Sequence, residues 1–317
     1  MTNAQLRQRE LRNEGRPETR GLPRPSAIVG LILIAAFIIA ANLSTLTHLA
    51  GRWSREPDYS HGFLVPLISG FLLWQRRGLI PSSAQPLRGR WLGVVLLAGS
   101  ALLRLWAIYS DFILLEAIAF ILCLVGAVVL IGGYPALRWA WPSILFLFFM
   151  IPLPGAIAGR LSGPLQRLAT VSSTYVLQTL GIPAIATGNV IWLSHGTIGV
   201  VEACNGLRML MMFGAATTAA VLVLKIPNWE KICLLVTAPG IAVAANIFRI
   251  AVTGLAQEFA GQHLADTIFH DLAGWIMMPL AMLMLALEVV LLSKLFPKVP
   301  ERAPVVARRA IRTAKVR

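Results

Sequence analysis

Charged residues are scarce in this sequence, and acidic residues are the scarcest among them. Only 13% of the 317 residues are charged, with 14 Asp and Glu against 28 Lys and Arg. An ordinary soluble domain has roughly a quarter of its residues charged, so the composition excludes that class. Hydrophobic residues make up 57% of the chain, in recurring runs near the ~20 residues that cross a bilayer as a helix. The sequence therefore predicts a polytopic membrane protein.

Charge is also missing from the centres of the predicted spans. Transporters often place ion-binding or relay groups there, so this absence counts against a proton-coupled carrier. A polytopic transporter or an exopolysaccharide-related membrane protein without peptidase activity is nevertheless the first alternative function. A non-catalytic membrane scaffold is the second.

Cysteine is rare too, with three residues in the chain. Cys123 is predicted in the middle of one span, Cys233 at the inner end of another and Cys204 at the outer end of a third, too far apart for a disulfide. The histidines lack the spacing of metal ligands, so we expect neither a metal nor a cofactor. Cys204 is left as an unpaired thiol facing an oxidising compartment, which is typical of a reactive cysteine.

The basic residues gather at the two ends of the chain and in short loops. This is the positive-inside pattern of a membrane protein, with contact to anionic membrane lipids, and it does not indicate nucleic-acid binding. We predict basic cytoplasmic tails over 1–26 and 297–317 and a transmembrane domain over 27–296. The first apolar run is predicted to be a signal anchor.

The predicted fold is an all-α integral membrane domain of about eight transmembrane helices. An even number of spans puts both termini and every basic loop on the cytoplasmic side of the inner membrane. The segment 159–202 then lies outside, with an interfacial helix over 162–180 and a short β-hairpin region over 184–201. A segment this long ahead of one span is expected to cover something. The predicted spans are 27–48, 61–75, 91–110, 112–134, 139–158, 203–224, 232–254 and 270–294.

Cys204 is the strongest candidate for chemistry. It begins the span 203–224, and unpaired N–H groups at a helix N-terminus favour the thiolate, the nucleophilic form of cysteine. Gly206 permits the close approach of a substrate or a neighbouring helix. Arg208, one turn beyond the thiol, is expected to supply positive charge.

Two further groups are predicted on the same membrane face. Asn246 and Arg249, three residues apart, share one face of their helix. Arg249 is suited to hold a substrate carbonyl or a developing oxyanion, although it also has the reach to snorkel to the outer surface. His270 heads the last span and is suited to act as base toward the thiol and acid toward the leaving amine, or as a polar cap. The rival bases are His195 and His263.

Taken together, these segments resemble the exosortase and archaeosortase family of multispanning membrane cysteine peptidases. The resemblance covers roughly 50–290 and implies an active site of Cys204, Arg249 and His270. His61 matches a family motif without an assigned role, and Asn205 stands where many members have Ser, which leaves the subtype open. The matching segments are Asp58-Tyr59-Ser60-His61-Gly62-Phe63-Leu64-Val65-Pro66, Ile151-Pro152-Leu153-Pro154, Glu202-Ala203-Cys204-Asn205-Gly206-Leu207-Arg208, Asn246-Ile247-Phe248-Arg249 and His270 with Gly274.

The resemblance also implies a substrate class and a reaction. The substrates would be tail-anchored exported proteins that end in a PEP-CTERM-like motif, a hydrophobic helix and a basic tail. A cysteine protease or transpeptidase would cleave the sorting signal at the outer face of the membrane through a thioester on Cys204. The acyl group would pass to water or to a surface acceptor, such as a lipid or a polysaccharide.

Overall fold

The computed structural model describes residues 25–80, 89–200, 206–260 and 270–295. The chain divides into two units, Met1–Leu46 and Thr47–Arg317. The predicted tail 297–317 and nearly all of the tail 1–26 lie outside the described residues. The helices are α1 Pro25–Ala41, α2 Leu43–Arg55, α3 Leu64–Gln75, α4 Arg90–Ser110, α5 Ile113–Phe146, α6 Gly155–Thr179, α7 Gly206–Val223, α8 Asn228–Ala260 and α9 His270–Leu295; 3-10 turns cover Pro57–Phe63, Arg77–Leu79 and Leu147–Met150; the strands are β1 Ile185–Thr187, β2 Val190–Leu193 and β3 Gly196–Gly199.

The first unit contains α1, which is apolar on all sides. Ile32 and Phe37 on this helix are 61% and 73% exposed, as expected for a helix whose surroundings are lipid rather than water. The helix ends at Ala41, and the Nδ2 of the next residue, Asn42, donates to the Ile38 carbonyl at 2.9 Å.

In the second unit, α4 and α5 form a closely packed hairpin. A Cβ on Gly93 would lie 2.6 Å from the Leu130 main-chain nitrogen, so only glycine lets the two backbones approach this closely, as small residues do between membrane helices. Asp111, with φ 50°, makes the turn between them. Gly133 interrupts α5 with φ 66° and ψ −165°, a conformation that only glycine adopts readily. This break falls near the end of the predicted span 112–134, before the predicted span 139–158.

Among the described residues, four helices are long and apolar enough to cross a membrane, and the broken pair Val29–Ala41 and Leu43–Arg55 raises the number to five. The predicted number of eight is therefore not confirmed. The other four candidates are Arg90–Ser110, Ile113–Met150, Gly206–Val223 and Asn228–Phe259.

Two predicted spans have a different structure. In place of a span over 61–75, the chain has a 3-10 turn and then α3, which has 12 residues. A helix of that length is ~18 Å long, short of the ~30 Å hydrocarbon core. In place of a span over 139–158, the chain leaves α5 at Phe146 and breaks around Pro152 and Pro154, which cannot continue a helix. Consequently α6 begins at Gly155, seven residues before the predicted interfacial helix.

The β structure predicted over 184–201 is confirmed within the described residues, as three strands rather than one hairpin. The sheet is antiparallel in the order β1-β2-β3, with Ile191 opposite Ile198. Both side chains are buried in one cluster with Leu177 of α6 and Ile250 of α8. The segment ahead of α7 therefore covers α8 beside Arg249, as the sequence led us to expect of so long a segment.

Candidate active site

The first turn of α7 lies against both α6 and α8. A Cβ on Gly206 would be 3.5 Å from the Leu165 Cβ and 3.5 Å from the Asn246 Nδ2. Both atoms lie at van der Waals distance from the same Cβ position, so Gly206 faces the place where α6 and the polar side chain of Asn246 come together. Cys204 and Asn205, immediately before Gly206 in the sequence, lie outside the described residues.

Asn246 and Arg249 are both buried in the protein, at 1% and 7% exposure. Burial of Arg249 does not agree with a guanidinium that snorkels to the outer surface. The Asn246 Oδ1 atom has no hydrogen-bond partner among the described residues. A buried acceptor left in this state costs about 1–3 kcal/mol, and buried guanidinium groups are retained only where partners satisfy them. The stretch of α8 from Asn246 to Arg249 therefore has the composition of a polar site inside an apolar helix bundle.

Helix α6 and the sheet hold this part of α8 in place. The Ser173 hydroxyl donates to the Ile247 carbonyl at 3.3 Å. A Cβ on Gly254 would be 2.9 Å from the Leu177 side chain, so α6 and α8 are in close contact one turn beyond Arg249. Val200 is fully buried in the same cluster, and its main-chain N–H donates to the Asn189 carbonyl at 2.9 Å. The position of Val200 is thus fixed by packing and by this hydrogen bond, and the next described residue, Gly206, packs close to α6 and α8.

Arg208 of α7 is joined to the 57–63 turn. Its Nε donates to the Asp58 Oδ1 at 3.0 Å, with the two side chains 36% and 22% exposed. This is a charge-assisted hydrogen bond between residues 150 positions apart in the chain. The carboxylate offsets part of the positive charge that the sequence suggested Arg208 would supply to a thiolate.

The 57–63 turn is in turn held by the segment that follows α5. The Trp53 Nε1 donates to the Met150 carbonyl at 2.8 Å, and the His61 Nε2 lies 3.1 Å from the Phe149 carbonyl oxygen. The indole of Trp53 also lies against Gly62, where a Cβ would be 2.4 Å from its Nε1. The segment 58–66 and the segment 151–154, which both carry the family resemblance, are therefore neighbours in space.

His61 is a neutral imidazole in this arrangement. A carbonyl oxygen only accepts, so the Nε2 of His61 carries the proton and donates to Phe149. Burial lowers the pKa of His61, against the main-chain carbonyls of Phe149 and Asp58, which favour the protonated ring. The pKa of Tyr59 is raised, by burial first and then by the negative charges of Asp58 and Glu56. Both side chains are thus uncharged at neutral pH and serve to dock the turn.

The remaining candidate residues are the three histidines proposed as bases, His195, His263 and His270. Helix α9 begins at His270, whose side chain lies outside the described residues, as does the whole of His263. His195 is exposed in the turn between β2 and β3. Asp58 belongs to a motif of the family resemblance, but no spacing rule in the sequence links it to Arg208, 150 positions later.

The family model described as Transmembrane exosortase (Exosortase_EpsH) matches residues 53–287. The match covers well over half of the chain, from Trp53, which holds the 57–63 turn, into α9. No curated protein and no solved structure matches the chain.

Proposed function

The chain belongs to the transmembrane exosortase family, and from this premise we propose that it is a cysteine protease or transpeptidase. Its substrates are exported proteins with a C-terminal sorting signal, a PEP-CTERM-like motif followed by a hydrophobic helix and a basic tail. One observation carries the proposal: Asn246 and Arg249 are buried on one stretch of α8, and the Asn246 Nδ2 lies 3.5 Å from where a Cβ on Gly206, two residues after Cys204, would be.

In the first half of the proposed reaction, the thiolate of Cys204 attacks the carbonyl carbon of the scissile peptide bond. The carbonyl oxygen becomes an oxyanion, and the guanidinium of Arg249 donates hydrogen bonds to it. His270 takes the proton of the thiol and delivers it to the amine as the C–N bond breaks. The products are a thioester on Cys204 and the released tail with a free amino group.

In the second half, a nucleophile resolves the thioester. Water gives hydrolysis, whereas an amine or hydroxyl of a surface lipid or polysaccharide gives transfer. The nucleophile loses its proton to His270, its oxygen or nitrogen bonds to the acyl carbon, and the C–S bond breaks to restore the thiol. No other reactant is needed in either half.

Asn246 has a separate proposed role in binding. Its Oδ1 is a buried acceptor with no hydrogen-bond partner in the described part of the chain, and a main-chain N–H of an extended substrate peptide would satisfy it. Forming this bond recovers the ~1–3 kcal/mol that an unsatisfied buried acceptor costs. Asn246 would therefore hold the substrate in register while Arg249, one helical turn away, meets its carbonyl.

The membrane location of the proposed site matches the substrate class. A tail-anchored substrate diffuses in two dimensions, with its motif held at the outer surface of the cytoplasmic membrane. A nucleophile at the same height would be reached laterally between helices. The proposed arrangement, with both termini cytoplasmic and Cys204 on the outer face, provides that height.

The experiment is processing of a co-expressed exported reporter that carries a candidate sorting signal. We expect Cys204→Ala and Cys204→Ser to abolish cleavage, and Cys233→Ala, the matched control on α8, to leave it unchanged. Trapping with hydroxylamine in wild type should release the reporter as a hydroxamate, because the intermediate is a thioester. Processing that survives in Cys204→Ala would overturn the proposal.

A further inference from the structure

A second polar site lies away from every segment of the candidate active site. It is a cavity of about 430 Å³ between the end of α3 and the part of α5 that follows the break at Gly133. Two arginines and two tryptophans supply most of its lining, and no carboxylate contributes to it. The lining residues are Arg76, Leu79, Pro135, Arg138, Trp139 and Trp141.

The two helices are joined at this cavity by a reciprocal pair of hydrogen bonds. The Arg76 Nε donates to the Trp139 carbonyl at 3.1 Å, and the Trp139 Nε1 donates to the Arg76 carbonyl at 2.9 Å. This pair fixes the position of the Arg76 guanidinium and uses only one of its five N–H groups. The Arg76 side of the cavity is therefore built into the packing of α3 on α5.

The positive charge of the cavity is not neutralised by acidic residues. Within the described ranges, neither Arg76 nor Arg138 belongs to an ion pair. The side chain of Arg138 is exposed and makes no hydrogen bond to a described residue. Two guanidinium groups in one concavity without a counter-charge favour an anion with several oxygen atoms, because each guanidinium offers a planar fork of donors to such a group.

The surroundings of the cavity indicate that the anion belongs to a lipid. Leu79 and Trp141 are 65% and 48% exposed, and the neighbouring Trp74 is 59% exposed. The Arg77 guanidinium lies 4.3 Å from the centre of the Trp74 ring. Exposed tryptophans interleaved with arginines are typical of the level of the headgroups in a bilayer, and a free anion would gain nothing from such an apolar rim.

We propose that this cavity binds the phosphate headgroup of an anionic glycerophospholipid. The guanidinium groups of Arg76 and Arg138 hold the phosphate oxygens, and the indoles of Trp139 and Trp141 pack against the glycerol and the first carbons of the acyl chains. The predicted positive-inside orientation would put this end of α3 at the cytoplasmic leaflet, where basic pockets between membrane helices take such headgroups. The site does not depend on the peptidase proposal.

The test is lipid binding by the purified, delipidated full-length protein, measured by native mass spectrometry. The probes are phosphatidylglycerol, phosphatidylcholine and inorganic phosphate. Because Arg138→Gln removes a charge-assisted contact to the phosphate, we expect it to weaken binding of phosphatidylglycerol by about tenfold or more. Arg160→Gln, an exposed arginine of α6, is the matched control and should bind like wild type.

Three results would overturn the proposal. Equal affinity for phosphatidylglycerol and phosphatidylcholine would show that the net negative charge of the headgroup does not contribute to binding. Unchanged affinity in Arg138→Gln would show that the lipid does not bind in this cavity. Displacement of phosphatidylglycerol by inorganic phosphate at comparable concentration would indicate a site for a free anion. Because Arg76 helps to join α3 to α5, Arg76→Gln is interpreted only if its melting temperature equals that of wild type, whereas Arg138→Gln removes no hydrogen bond between described residues and carries the test alone.

Discussion

The Arg208 Nε donates to the Asp58 Oδ1 at 3.0 Å, which joins the first turn of α7 to the 57–63 turn. Gly206, in the same turn of α7, faces Asn246 of α8, whose Nδ2 is 3.5 Å from where a Cβ on Gly206 would be. The ion pair thus fixes the helix end that follows Cys204 from one side, and α8 bounds it from the other. Asp58 and Arg208 are positioning residues in this scheme: they act on the proposed nucleophile through the backbone of α7.

Removing the Asp58 carboxylate should therefore slow cleavage of the substrate while the stability of the protein changes little. The pair is partly exposed, so its contribution to stability is about 1 kcal/mol or less, and Asp58→Ala should lower the melting temperature only slightly. We expect the turnover rate to fall, with Asp58→Asn, which keeps an acceptor for the Arg208 Nε, retaining most of it. The readouts are the single-turnover rate of reporter cleavage and a thermal melt in detergent.

The neighbouring acidic residue provides the control for this experiment. Glu56 pairs with Arg52 at 2.6 Å on the surface, with both side chains 40% exposed. Glu56→Ala should leave the cleavage rate unchanged. If Glu56→Ala slows cleavage as much as Asp58→Ala, the effect comes from the general charge of this region and the positioning role is wrong.

His61 predicts a pH dependence of stability. Its folded-state pKa is lowered by burial, so below about pH 6.5, the pKa of an unperturbed histidine, the unfolded chain binds a proton that the folded protein does not. The contribution of His61 to the free energy of unfolding is therefore complete above that pH and is lost as the pH falls toward the folded-state pKa. Melting temperatures measured from pH 8 to pH 5 should decline over that range in wild type.

The variant His61→Gln removes the titrating group and keeps a donor for the Phe149 carbonyl. Its melting temperature should depend less on pH over this range than that of wild type. His195→Gln, in an exposed turn, should follow the wild-type curve. A wild-type curve that is reproduced by His61→Gln would show that another group is responsible.

Gly62 should not tolerate a side chain. A Cβ at this position would be 2.4–2.5 Å from three atoms of the Trp53 indole, which is itself fixed by its bond to the Met150 carbonyl. Overpacking of this kind costs typically 1–3 kcal/mol, so Gly62→Ala should lower the melting temperature by several degrees. Gly51→Ala, in α2 with nothing within 4 Å of the new Cβ, should have no such effect and can raise stability through helix propensity. Equal melting temperatures for the two variants would contradict this packing.

The parts of the fold that the sequence predicts well are those decided by neighbouring residues. The β structure over 184–201 follows from Gly188 and His195-Gly196 between short β-type runs, although the sequence predicted one hairpin and not three strands. The membrane spans are harder, because an apolar run of suitable length does not reveal where the chain breaks. The prolines at 152 and 154 lie inside such a run, and they end one segment and begin α6.

The same limit applies to the candidate site. Asn246 and Arg249 can be paired from their spacing on one helix, and both are buried as a site would require. The bond between Arg208 and Asp58 has no local signal, because only the packing of the 57–63 turn beside α7 brings the two together. His61 shows the converse: the motif is recognisable in the sequence, whereas the role of its imidazole in holding that turn depends on the Phe149 carbonyl, 88 residues away.

The proposed role of Arg249 leads to the sharpest prediction on catalysis. Arg249→Lys keeps the buried positive charge but replaces a planar fork of donors with a single ammonium group. If Arg249 stabilises the oxyanion, the cleavage rate should fall by about 10²–10³, the usual effect of removing one such donor. Substrate affinity should change much less, because the interaction strengthens only in the transition state. The measurement is a single-turnover rate at saturating and at limiting substrate.

A matched control separates chemistry from folding. Arg167→Lys, an exposed arginine on α6, should retain the wild-type rate, and all three proteins should melt within a few degrees of one another. Asn246→Ala should have the opposite kinetic signature, a weaker apparent affinity with a smaller loss of rate, because its proposed partner is the bound peptide before and during reaction. If Arg249→Lys is stable and cleaves at the wild-type rate, Arg249 does not stabilise the oxyanion. If Arg249→Lys merely fails to fold, its melting temperature will be lowered. In that case the cleavage rate and the apparent substrate affinity of Asn246→Ala decide whether the face of α8 that carries Asn246 meets the substrate.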